Sequence, residues 1–116
     1  MAFVLRWVQE SADTYQGLKL GALRSLEARK KGKRSKPGRE EGLFKQLHKC
    51  LTLLAANPRH PGLQTHEFGS VDNPVRPGEK VFEAYVQNRT PGAYRVFWCY
   101  GPSKSEITII AIVPHP

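Results

Sequence analysis

The stretch that most constrains the fold is EITIIAIV at residues 106 to 113. From 107 to 113 every position except Thr108 is apolar, and successive side chains on a strand point to opposite faces, so both faces need cover. Such a strand belongs in the middle of a sheet. Two strand-like runs precede it, VFEAYVQN at 81 to 88 and AYRVFWCY at 93 to 100. The linkers NRTPG and GPSKS are short and rich in turn formers, which predicts an antiparallel meander of the three. The run at 81 to 88 alternates, with Phe82, Ala84 and Val86 against Glu83, Tyr85 and Gln87, so one face of the sheet can be polar. FVLRWV at 3 to 8 and LQTHEF at 63 to 68 read as further strands.

Between those two runs the period changes. Ala12, Tyr15, Leu18, Ala22, Leu23 and Leu26 recur at helical spacing behind Ser11, a suitable N-cap, and Gly17 and Gly21 suggest close packing of that helix. A second helix carries the stripe Leu43, Phe44, Leu47, Cys50, Leu51 and Leu54; Glu40 and Glu41 suit its N-terminus and Asn57-Pro58 ends it. The order β-α-α-β-β-β-β predicts an α+β fold, a single domain over 1–116 in which two helices pack on one face of an antiparallel sheet and leave the other face available. That available face is where a functional site is expected.

Charge is unevenly placed. Residues 29 to 39, RKKGKRSKPGR, hold seven basic residues and no acid, which accounts for nearly all of the net charge of +8. An exposed basic connection between the helices, at 29–41, is predicted. Lys30, Lys31, Lys33 and Arg34 would attract RNA or another polyanion in a salt-sensitive way, or serve only as a solvated loop. No apolar run reaches the ~20 residues of a membrane-spanning helix, and the N-terminus lacks the pattern of a secretory signal, so a cytoplasmic protein is expected. Cys50 and Cys99 stand far apart, as reduced apolar residues would, and four scattered histidines make no zinc site; neither metal nor cofactor is expected.

Several polar residues stand out against this frame. Arg95 lies inside an apolar strand and must reach solvent, a ligand, or a carboxylate such as Glu83 or Glu67. His66 and Glu67 alternate, so at most one faces the open side. Glu83, Tyr85 and Gln87 share a face, and Tyr85 could stack on a nucleobase. Trp98 and Tyr100 fit the core or its rim better than a base platform. His115 sits between two prolines directly after the apolar strand, where a rigid strand end could aim an imidazole into a cleft.

The first strand, the helix pair ending in LAANP, the LQTHEFG segment, the AYRVFW strand and the final IAIVPHP together resemble the RelE/ParE superfamily of type II toxins, and among them the histidine-using YafQ- and YoeB-like members. The resemblance implies a RelE-like fold and a ribosome-dependent endoribonuclease that cuts mRNA without a metal, or a toxin of the same scaffold directed at DNA gyrase, or an inactive binding module. A cognate antitoxin would be its partner. Carried to matching positions, it implies His66, Arg95 and His115 as catalytic residues, with His115 as acid or base, His66 as its complement and Arg95 on the phosphate. Glu83 and Tyr85 would be RNA-contacting residues.

Overall fold

The computed structural model describes residues 2–32, 38–88 and 90–114. The strands are β1 (Val4–Trp7), β2 (His66–Glu67), β3 (Phe82–Tyr85), β4 (Tyr94–Tyr100) and β5 (Glu106–Pro114). Two helices, α1 (Gln9–Lys30) and α2 (Arg39–Ala56), lie between β1 and β2, and a 3-10 turn at Pro61–Leu63 follows α2. One sheet runs in the order β1-β5-β4-β3-β2. The doubly apolar strand β5 is interior, as its composition requires, and β2 to β5 are antiparallel neighbours in the sheet. β1 differs: it joins β5 in parallel, with Leu5 opposite Ile107 and Trp7 opposite Ile109, so the sheet is mixed rather than purely antiparallel. The helical crossover through α1 and α2 makes that direction possible, since a parallel neighbour needs a long connection.

Both helices cover one face. Leu47, Cys50, Leu51 and Leu54 of α2 pack with Ala84, Val96, Trp98, Ile107, Ile109 and Ile112 of the sheet. A register shift in the β4–β5 pairing places Phe97 opposite Ala111 but Trp98 opposite Ile109, so β5 has one extra residue there. This bulge lets Ile109 and Ile112 share the helix-covered face although they are three apart, an interval that puts them on opposite faces of a regular strand.

α1 departs from its expected pattern. It begins two residues before Ser11, whose side chain caps nothing: its hydroxyl is buried and donates to the Ile109 carbonyl at 2.7 Å, tying helix to sheet. Only the first half of α1 lies on the sheet; the second half packs on α2, through Gly21 beside Glu40 and through Glu41, which accepts from Ser25 and from Arg29 at 3.0 Å. Hence Ala22 and Ser25 are buried while Leu20 and Leu23 are exposed, the reverse of what spacing suggests for Leu23. Gly17 has open space around it, so close packing explains Gly21 alone. The basic run is also shorter as a loop than 29–41: Arg29 and Lys30 end α1, and Arg39, Glu40 and Glu41 begin α2.

Candidate active site

On the face turned away from the helices, strand pairing stacks polar residues side by side. His66 lies opposite Glu83, and Tyr85 opposite Arg95, which in turn faces Val113. Paired residues on neighbouring strands share a face, so β2, β3 and β4 each contribute to one cluster. The same face is partly covered lower down, where Phe68 lies against Phe97 with ring centroids 4.6 Å apart and Arg76 reaches the Pro102 carbonyl.

Glu83 is the centre of the cluster. It is 3% exposed, with one carboxylate oxygen 2.7 Å from His66 Nε2 and the other 3.9 Å from Arg95 Nε. A carboxylate removed from water requires such partners. Burial also means that Glu83 makes its contacts inside the protein; it is placed to hold His66 and to balance Arg95, not to meet RNA as a surface residue.

His66 is half-exposed and fixed from two sides. Gln64, just before it, has φ 49 and ψ 39, the left-handed region, and this kink turns its carbonyl to within 3.2 Å of His66 Nδ1. Both ring nitrogens thus face oxygens, and the nitrogen that carries the proton donates to one of them. Its edge meets Tyr85, centroids 5.8 Å apart at 73°.

The Arg95 guanidinium lies flat on the Tyr85 ring, 3.6 Å from its centroid, a cation–π contact that preorganises the fork. Nη1 donates to the Gln87 carbonyl at 3.3 Å. Nε is buried and finds no protein partner at hydrogen-bond distance among the described residues. Arg95 is itself 9% exposed, and the chemistry of its guanidinium fork suits a phosphate. Tyr85 is therefore positioned under Arg95, a contact that sequence reading, which assigned it to base stacking, does not reveal. Of the two carboxylates considered for Arg95, Glu83 is the neighbour; Glu67 instead pairs with Lys80 at 2.9 Å on the sheet edge.

The described part of the basic run lies apart from the cluster. Lys30 ends α1, about five turns and 28 Å along the helix from Ser11, on the other side of the sheet. Lys31 follows it, while Lys33, Arg34 and His115 lie outside the described residues. No group of three or more His, Cys, Asp or Glu that could hold a metal occurs among the described residues.

Comparison with solved structures identifies the backbone architecture that carries the cluster. The YoeB/ParE toxin from Agrobacterium tumefaciens superposes with a TM-score of 0.60 at 10% identity, over 97% of this chain and 98% of that one. The YoeB dimer from Staphylococcus aureus gives 0.57 at 8% identity over the whole of both chains. The chain has the RelE/ParE toxin fold. A third match to that fold is the archaeal RelE–RelB complex from Pyrococcus horikoshii OT3, with a TM-score of 0.56 at 12% identity over 98% of this chain and 96% of that chain. No protein-family model and no curated protein matches the sequence. The agreement with the RelE/ParE fold is thus one of backbone architecture, and what the site does must be argued from its own side chains.

Proposed function

We propose that the protein is a toxin of a type II toxin–antitoxin system that arrests translation as a ribosome-dependent mRNA endoribonuclease. The observation that carries this reading is the convergence of His66, Glu83, Tyr85 and Arg95 from three strands on the face not covered by helices. In the proposed reaction the RNA 2′-hydroxyl attacks the adjacent phosphorus, its proton passes to a base, and the bond from phosphorus to the 5′-oxygen breaks as an acid protonates that oxygen. The products are a 2′,3′-cyclic phosphate and a free 5′-hydroxyl, and no metal takes part.

Arg95 is suited to the charge on the phosphoryl oxygens. His66, with both nitrogens turned to acceptors, is suited to donating a proton. His115 is proposed as its complement: it follows Val113, the partner of Arg95, by two residues, a reach of about 7 Å. The basic residues Lys30, Lys31, Lys33 and Arg34 are proposed to contact ribosomal RNA. A cognate antitoxin is the proposed protein partner, since one of the structural neighbours is a RelE–RelB complex. No helix among the described residues is long and apolar enough to cross a membrane; action in the cytoplasm is part of the proposal.

Translation arrest with primer-extension mapping of mRNA ends tests this reading. Wild-type protein should produce new ends within translated codons, and Arg95→Ala, His66→Ala or His115→Ala should reduce them by about 10²-fold or more. Undiminished cleavage by these variants would remove the assignment. The enclosure of His66 between Glu83 and the Gln64 carbonyl also suits a non-enzymatic role. Trapping of DNA gyrase on cleaved DNA, with translated mRNA left intact, would establish that second reading.

A further inference from the structure

Strand β3 ends against β4 in an irregular way, and the irregularity touches Arg95. Just after Tyr85, the residue paired with Arg95, the N–H groups of Val86 and Gln87 both donate to the Tyr94 carbonyl, at 3.1 and 3.3 Å. Two residues set against one is the pattern of a β-bulge, which re-aims the side chain that follows. Regular alternation would put the Gln87 side chain on the uncovered face with Glu83 and Tyr85. Instead it reaches α2, where its Nε2 donates to Gln46 Oε1 at 3.0 Å, while its Oε1 accepts from the Tyr94 N–H at 3.1 Å. The backbone carbonyl of the same residue faces Arg95 and accepts from Nη1 at 3.3 Å.

These contacts decide where the guanidinium can go. Tyr85 supports its plane at 3.6 Å, but a ring face sets no direction within that plane. Glu83 stands 3.9 Å from Nε, beyond hydrogen-bond distance. Among the described residues the Gln87 carbonyl is the hydrogen-bond acceptor of the guanidinium, and it is the contact that sets the rotation of the fork over the ring. The carbonyl is held in turn by the two side-chain bonds of Gln87, one to β4 and one to a helix on the far side of the sheet. Because the Tyr94 N–H can only donate, it also fixes which end of the Gln87 amide is oxygen, and so leaves the amide N–H groups for Gln46.

We infer that Gln87 is a positioning residue for Arg95, and that Gln46 of α2 completes the arrangement from the helix-covered side. The inference rests on the reading of Arg95 as the group that meets phosphate, and adds to it the residue that aims the fork. Gln46 is exposed on a helix across the sheet from the His66 cluster, so it acts only through Gln87. Displacement of a charged group by about 1 Å is enough to cost much of its contact with a transition state.

The test pairs a spectroscopic readout with cleavage. The Nε–Hε magnetic resonance signal of Arg95, assigned by its loss in Arg95→Lys, should be single and sharp in isotope-labelled wild type. It should shift or broaden in Gln87→Ala and in Gln46→Leu, an exposed helical change that spares the fold. Single-turnover cleavage of mRNA on the ribosome should fall about tenfold in Gln87→Ala and about threefold in Gln46→Leu. Gln46→Glu keeps an acceptor for Gln87 Nε2 and should match wild type in both readouts. In an Arg95→Ala background, Gln87→Ala should cost nothing further. An unmoved Arg95 signal in Gln87→Ala, or the same fold loss with and without Arg95, would overturn the proposal. A signal that moves as expected in a protein whose wild type cuts no mRNA would instead remove the endoribonuclease reading and leave the positioning of Arg95 standing.

Discussion

Glu83 shows how one buried side chain can organise a site. Its carboxylate lies between an imidazole at 2.7 Å and a guanidinium at 3.9 Å, and it is almost free of solvent. Replacing it with glutamine keeps the shape and removes the charge. Glu83→Gln should therefore lower mRNA cleavage by about 10²-fold while the thermal transition remains cooperative, with primer extension and circular dichroism measured on one preparation. Cys50 offers a contrast, being a buried group with no polar task. Burial alone pushes its thiol up to about 12 and also raises that of Cys99. Neither should react with a thiol reagent at pH 8 in the native protein, and both should react on unfolding; rapid labelling of the native protein would show that the core opens easily.

At the scale of elements, two carboxylates fasten distant segments. Glu106 joins β5 to Arg6 of β1 and to the Ser103 hydroxyl, while Glu41 joins α2 to Arg29 and Ser25 of α1. The Ser103 hydrogen bond, then Arg6, holds Glu106 below the usual 4.5; Arg29 chiefly does the same for Glu41. A carboxyl with its pKa lowered by folding stabilises the protein fully above its unfolded value and loses that contribution as pH falls through the folded one. Urea midpoints should thus decline below about pH 4.5, and the double variant Glu41→Gln, Glu106→Gln should show a lower midpoint at pH 7 with a flatter acid limb.

Elements also show how much of the fold and of the candidate site was legible in the sequence. α2, β4 and β5 follow directly from apolar period, because each packs along most of its length, whereas the run at 81 to 88 keeps only Phe82–Tyr85 as β3. α1 does not, since half of it rests on another helix, where Ala22 and Ser25 suffice and Leu23 stays outside. LQTHEF yields only the two residues of β2, because Leu63 closes a 3-10 turn and Gln64 adopts a left-handed conformation. His66 and Arg95 could be singled out as polar residues in strands. Their neighbours Glu83 and Tyr85 were visible as residue types, but the partner each holds depends on strand register, which no single stretch encodes.

For the whole molecule, dimensions of 50 × 26 × 25 Å reflect a helical hairpin that extends beyond the sheet, with Arg29, Lys30 and Lys31 at the end of α1. Charge there acts at a distance from the His66 cluster. Lys30→Glu with Lys31→Glu should weaken ribosome binding and lower its salt dependence, since fewer counterions are released, without altering thermal stability. Unchanged binding across a salt series would assign that tip to another role.

The parallel pairing of β1 with β5 has a temporal consequence. Leu5 meets Ile107 and Ser11 meets Ile109, so β1 cannot be seated until the segment around residue 110 has been made. Everything from β1 to β5 must therefore emerge before the sheet closes, and a nascent chain halted midway has helices with no complete surface to cover.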